Sequence, residues 1–324
     1  MRALIVGHFS TMGDIESLAY VEQVLDAEGI AYDVLPYKPE IARSLPCAIP
    51  RATLDPAAYT HLIIVCGPIW PELLERRGIA LERFAHCTRI GINLTMVLPV
   101  SEWNPFHLLI ERDSDRTARP DITFLQQTGL VPVVGLCTIA KQKEYGRRQR
   151  HAQANELMRQ IVASREVGVV EIDTRWPQSR NSGGLRSPAE LLTVMSRLDV
   201  LLTNRLHGMV YALKAGVPVI AIDPVSGSDK VTAQAKILGW PAVATVEEAT
   251  ADWVDRTYDW CLSEEGRSAA LAIAASAREK LHPAASEFQA ALRKTFDARP
   301  LPQMRSRNSL GRRLTTALRA KLAR

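Results

Sequence analysis

The chain has 324 residues, 47% apolar and 23% charged, a soluble globular composition with room for two domains of ordinary size. Its formal charge of +5 is concentrated: residues 299–324 hold eight basic side chains and no acidic one, so residues 1–298 carry −3. A mildly acidic body argues against a nucleic acid partner, and no apolar run approaches the roughly 18 residues needed to span a bilayer.

Residues 3–6 predict a first strand followed by a loop. A secretory leader would need a longer apolar region and a small-residue cleavage site, so the expected location is cytoplasmic. An amphipathic helix is predicted over 15–28, a second strand over 33–35 and a Pro-rich loop over 36–56. Central strands follow at 61–66 and 89–93. This is the βαβ alternation of a doubly wound domain. The pattern turns polar from Arg112 and Asp113 to Pro120 and Asp121, which places a domain junction at 122/123. Strands restart at 131–137 and 167–172, with a charged loop and helix between them. A βαβ unit then runs from 200 to 222, and 249–294 is helical. The expected domains are 1–122 and 123–298, with a tail at 299–324. The fold class is α/β: two Rossmann-like doubly wound halves with a helical carboxyl-terminal extension, which suggests a GT-B-like architecture.

Five scattered cysteines and seven histidines form no ligand spacing, so no metal site and no cofactor are expected. The stretch TNRLHGMVYALKAGVPVIAIDP is the most informative. Asn204, Arg205, Leu206, His207 and Gly208 lie at the carboxyl end of a strand, the edge where open parallel sheets bind ligands. Arginine offers a bidentate fork for a carboxylate or phosphate, and imidazole can deliver a proton near neutrality. Gly208 would let a ligand approach the backbone, and the free N–H groups of the helix that follows favour an anion. The alternative is Arg205 paired with a local carboxylate and His207 capping the helix. DPVSGSDK, residues 223–230, is either a plain turn or an anion cradle ending in Lys230. In GHFSTMGD, residues 7–14, Asp14 either caps the first helix or faces a cleft. Glu111, Arg112 and Asp113 read as a salt-bridged linker.

Taken in order, these segments resemble the polysaccharide pyruvyl transferase family, most closely at TNRLHGMVYALKAGVPVIAID. Lys230 falls where that family has a basic residue after the final strand. Gly13-Asp14 resembles its amino-terminal Gly-Asp turn, and Arg112-Asp113 with Pro120-Asp121 resembles its central Arg-Asp and Pro-Asp pair. Residues 8–12 replace the family's Asn-containing glycine-rich loop, and Cys66-Gly67-Pro68 replaces its central glycine cluster. The resemblance implies a GT-B-like transferase that uses phosphoenolpyruvate to place a pyruvate ketal on a sugar of a polysaccharide or lipid-linked glycan precursor. It implies His207, Arg205 and Asp14 as catalytic residues. Lys230, Gly208, Gly13, Arg112 and Asn204 would bind substrate, with the acceptor on the first domain and the donor on the second. The alternatives are a nucleotide-sugar glycosyltransferase and a non-catalytic glycan-binding relative. In the tail, Leu310, Leu314, Leu318 and Leu322 recur at spacing four among basic residues. Such a helix would either meet an anionic membrane surface, peripherally at its inner face, or pack its leucines on the body.

Overall fold

The computed structural model describes residues 1–227 and 230–294. Ser228 and Asp229 of the Gly/Ser loop, and the tail at 299–324, lie outside the described residues. The chain divides into two compact units, Met1–Gly129 and a second beginning at Leu130.

In the first unit the elements run β1 (Arg2–Gly7), α1 (Met12–Ala27), β2 (Ala31–Pro36), β3 (His61–Ile69), α2 (Pro71–Arg76), β4 (Thr88–Met96) and β5 (Leu108–Asp113). All neighbouring strands pair in parallel, in the order β2-β1-β3-β4-β5. Leu4, Val6, Leu62 and Ile64 pack on one face, while Ala3, Ile5, Ile63 and Val65 pack on the other against Leu18 and Val21 of α1. Burial on both faces is why these strands read as unbroken apolar runs rather than alternating ones.

The second unit runs β6 (Val133–Cys137), α3 (His151–Ala163), β7 (Gly168–Glu171), α4 (Pro188–Met195), β8 (Val200–Thr203), α5 (Leu206–Lys214), β9 (Val219–Asp223), α6 (Lys230–Leu238), β10 (Val243–Thr245), α7 (Ala251–Leu262) and α8 (Glu264–Leu292). Its sheet is also parallel throughout, in the order β10-β9-β8-β6-β7. Strands β8 and β9 are buried from end to end. Counted within its own unit, each sheet has the order 2-1-3-4-5, so each switches winding direction beside its first strand, β1 or β6. The expected pair of doubly wound α/β halves with a helical carboxyl end is therefore present.

Three expectations change. The segment around Arg112 is not a linker but β5, which pairs with β4 along Leu108–Asp113. Asn93 of β4 then reaches over it, donating to Asp121 Oδ1 at 3.1 Å and accepting from the Ile122 N–H at 3.2 Å. These bonds tie 121–122 to the first sheet, and the division falls at 129/130 rather than 122/123. Helix α1 also begins earlier than 15, because Thr11 serves as its N-cap. Among the described residues, no helix is long and apolar enough to cross a membrane.

Glu111 explains why β5 is hard to see in the sequence: it puts a carboxylate where a buried strand should be apolar. The side chain is fully buried, and Arg116 Nε and Nη2 donate to it at 2.7 and 3.2 Å, with Arg119 Nη1 at 3.1 Å. The Arg116 contacts outweigh burial and, with Arg119 and Ser114, hold this carboxyl down to about 2. A carboxyl depressed in the folded state stabilises the fold above its unfolded pKa, and that stability is lost as pH falls through the folded value. The first unit should therefore lose thermal stability from pH 4.5 towards 2. Glu111→Gln should lower stability at neutral pH by about 1–2 kcal/mol and flatten the acid limb, as read by thermal unfolding across that range.

Candidate functional site

In the second unit the sheet switches direction beside β6, with β7 on one side and β8 on the other. The carboxyl ends of its strands supply the walls of a cavity of about 220 Å³. Ile139 and Gln142 follow β6, Thr174 and Arg175 follow β7, Arg205 and His207 follow β8, and Lys230 follows β9. The parallel topology thus gathers side chains from Ile139 to Lys230 at one crevice.

Arg205 occupies the N-cap position of α5 with extended backbone, and its N–H is held by Thr203 Oγ1 at 3.0 Å. Its side chain is only 10% exposed, and Nη1 donates to Asp173 Oδ1 at 2.9 Å and to Thr174 Oγ1 at 2.7 Å. The alternative of a local carboxylate partner is therefore realised. That partner is itself heavily engaged. Asp173 also accepts from the Arg175 and Ser182 N–H groups at 3.0 and 2.9 Å and from Arg175 Nε at 2.7 Å. Burial alone would raise its pKa. The backbone donors and the two guanidinium groups overcome that and hold the carboxyl well below the usual range. One carboxylate between two arginines leaves a net positive charge, and Lys230 adds another.

His207 is exposed in the first turn of α5 and makes no hydrogen bond within the described residues. No side chain caps α5, so the capping reading of His207 does not hold. The orphan N–H groups of that turn remain available to an anion. Lys230 opens α6, with Nζ 5.4 Å from the centroid of the Tyr145 ring.

Asn204 and Gly208 stand near this cavity but have other work. Asn204 is buried: Nδ2 donates to Ile139 O at 3.1 Å and Asn155 Oδ1 at 2.7 Å, while Oδ1 accepts from the Ile139 N–H at 2.8 Å. One donor of the amide holds the segment after β6 against the end of β8, and the other ties in α3 through Asn155. A Cβ on Gly208 would lie 2.3 Å from Thr203 Oγ1 and 3.3 Å from Cys137 Sγ. The glycine is required by the closeness of α5 to β8 and β6.

Asp14, Gly13 and Arg112 belong to the first unit. Asp14 is the third residue of α1: Oδ2 accepts from the Ser10 and Thr11 N–H groups, and Thr11 Oγ1 accepts from Asp14 N, a complete capping box. Gly13 is exposed, and an added Cβ would meet nothing closer than Thr11 Oγ1 at 3.9 Å. Arg112 commits all three nitrogens: Nε to Asp113 at 3.1 Å, Nη1 to Asp121 at 3.1 Å and Nη2 to Thr95 Oγ1 at 2.7 Å. The Arg-Asp and Pro-Asp pairs of the motif are thus joined by one guanidinium. Among the described residues no cluster of His, Cys, Asp or Glu is placed to hold a metal ion.

Asp173 and Arg175 were missed in the sequence, although the same signal was there: both follow directly on an apolar run, 167–172, at a strand's carboxyl end. Asn93 was missed as well. It sits at positive φ (56°) on β4, where it links Ser17, Cys66 and Asp121.

Residues 120–226 match the model of the polysaccharide pyruvyl transferase family. The match takes in Asp173, Arg175, Asn204, Arg205, His207 and Gly208 and ends before Lys230. No curated protein matches the sequence. Among solved structures, the chain is similar to spinosyn forosaminyltransferase at 14% identity and a TM-score of 0.33, over 90% of this chain and 99% of that one. It is similar to E. coli ADP-heptose LPS heptosyltransferase II at 14% identity and 0.26, over 81% and 98%. UDP-GlcNAc 2-epimerase from Methanocaldococcus jannaschii gives 8% identity and 0.30, over 82% and 94%.

Gly208→Ala tests the packing account. The new methyl has to push back the Thr203 hydroxyl and with it the anchor of Arg205, so stability should fall by about 1–3 kcal/mol. Adding Thr203→Ser, which retains the hydroxyl, should restore less of that loss than adding Thr203→Ala, as read by thermal unfolding.

Proposed function

We propose that this protein transfers the pyruvyl group of phosphoenolpyruvate to two hydroxyls of a glycan sugar as a ketal. The observation that carries the reading is the cavity at the β6/β8 switch. It combines a net positive lining, an uncapped helix start and an exposed imidazole with no hydrogen bond among the described residues, and its β7 and β8 walls lie inside the segment matching the family.

The donor has a carboxylate and a phosphate, and the site offers charge for both: Arg205, held in place by Asp173, and Lys230, together with the α5 amides. In the reaction, protonated His207 gives its proton to the donor methylene, which becomes a methyl group, and positive character develops at the adjacent carbon. A sugar hydroxyl adds there, its proton passing to the imidazole of His207, now neutral. The carbon–oxygen bond to phosphate breaks, and phosphate leaves with its electron pair. The second hydroxyl then closes the ketal, its proton going to phosphate. Lys230 and the helix amides stabilise the charge on the departing group. The acceptor is a polysaccharide or lipid-linked glycan precursor in the cytoplasm, with the basic tail as the part suited to an anionic membrane surface.

The decisive experiment incubates the purified protein with isotope-labelled phosphoenolpyruvate and a glycan extract and weighs the products. Labelled pyruvylated glycan is expected. Transfer of hexose from a nucleotide sugar instead would replace this reading with a glycosyltransferase. Arg205→Ala should raise the donor KM more than tenfold. His207→Ala should retain donor binding and lose turnover by about 10²–10⁴-fold, the usual worth of a general acid. Turnover in excess chelator should match turnover in magnesium. Lys230→Ala should raise the donor KM without rescue by added metal, and Lys230→Arg should fall between alanine and wild type, because a planar fork copies a compact ammonium poorly.

A further inference from the structure

The second unit has another cavity bordered by His207. It measures about 500 Å³, and Thr174, Arg175 and His207 line both. Its lining differs in character, with the aromatic and aliphatic residues Trp176, Leu185, Leu191 and Tyr211. We propose that this cavity receives the ring of the acceptor sugar, stacked by its C–H face on Trp176, with its reacting hydroxyls turned towards His207. The proposal rests on the reading of the chain as a pyruvyl transferase and names the place of its acceptor.

Three observations carry it. First, the indole of Trp176 is 74% exposed, a large apolar surface left in water at the mouth of a crevice. Second, that indole rides on a segment held rigidly from beneath. Asn181 Nδ2 donates to Asp173 O and Arg175 O, both at 2.9 Å, and its Oδ1 accepts from the Gly183 and Leu185 N–H groups at 3.0 and 3.1 Å. A platform pinned on both sides of the tryptophan loses little freedom when a ring lands on it. Third, the charge is wrong for a second anion. Arg175, the cation on this wall, lies against Asp173 Oδ2 through both Nε and Nη2 at 2.7 Å. What remains for a ligand is apolar surface with a few polar points, His207 and the Tyr211 hydroxyl, which makes no hydrogen bond within the described residues. A pyranose has the matching chemistry, an apolar face and a rim of hydroxyls. Contiguity at His207 gives one imidazole access to both the donor methylene and the attacking hydroxyl. The resemblance placed the acceptor on the first unit; this inference assigns the reacting ring to the second.

The test uses the full chain and two readouts. Saturation-transfer NMR with methyl glycosides of glucose, galactose, mannose and N-acetylglucosamine should show transfer to the C–H protons of at least one ring. Trp176→Ala and the cavity-filling Leu185→Trp should abolish that transfer, and Trp176→Phe should retain part of it. In the pyruvyl-transfer assay, Trp176→Ala should raise the acceptor KM about tenfold and leave the donor KM unchanged. Because the indole is exposed, its removal leaves the packed core intact, and unchanged phosphoenolpyruvate binding by Trp176→Ala checks this. The proposal is overturned if no glycoside binds the wild type, if binding survives both variants, or if uridine occupies the cavity in a Trp176-dependent manner while the glycosides do not. Trp176-dependent glycoside binding by a protein that makes no pyruvylated product would uphold this inference and remove the proposed reaction. Product formation with an acceptor KM indifferent to Trp176→Ala would do the reverse.

Discussion

The second unit is organised around one buried ion pair. Asp173, beyond the end of β7, meets Arg205, beyond the end of β8, across the mouth of the strand that separates them, β6. A single carboxylate in that position would be expensive to bury, and a single guanidinium would swing in the crevice. Together they are satisfied, because Asp173 is also held by two backbone N–H groups and by Arg175. An ion pair of this kind contributes little net stability, since desolvation offsets most of the attraction. What it does supply is position. Arg205 has no freedom to follow an anion about, so an anion that binds must come to it.

The rest of the local sequence serves that fixed point. Thr203 accepts the Arg205 N–H and donates its own hydroxyl to Cys137 O at 2.7 Å, which ties the turn after β8 to the last residue of β6. Asn204 then bonds the next segment of the β6 loop through Ile139. Gly208 allows α5 to lie close enough to Thr203 for this geometry to exist. His207 is the exception in the run: its neighbours are bonded or at least partly buried, whereas it is exposed and makes no hydrogen bond among the described residues. In a segment where every polar group has a structural task, the side chain without one is the candidate for chemistry.

The sequence disclosed the architecture well, because the central strands of both sheets are buried on both faces and appear as plain apolar runs. It also disclosed the importance of residues 203–208, because strand end, cation, imidazole and glycine lie together along the chain. It did not disclose what those residues do for one another. Asn204 and Gly208 look like ligand contacts until Asn155, Ile139 and Thr203 are seen around them, partners supplied by folding rather than by adjacency. Asp173 stands thirty-two positions from the arginine it holds, a separation at which no periodicity carries information. Strand β5 was hidden by Glu111, whose neutralising arginines lie after the strand and not within it.

The two units divide their polar groups differently, and the contrast bears on where chemistry can occur. In the first, Arg112, Asp113, Asp121, Thr95 and Asn93 close on one another, and every nitrogen of Arg112 has a protein acceptor. Three residues other than glycine adopt positive φ there, Phe9, Cys66 and Asn93, all at or near the carboxyl ends of strands. Backbone strain of that kind persists only where surrounding bonds over-determine it, and the Asn93 network does so at two of the three. The second unit invests its polar bonds one layer below its cavity, in Asp173, Asn181 and Asn204, and leaves the lining itself less occupied. A rigid floor under an under-occupied wall is the arrangement that binds a ligand without reorganising first, and it places the candidate site on the second unit for reasons independent of any likeness in sequence.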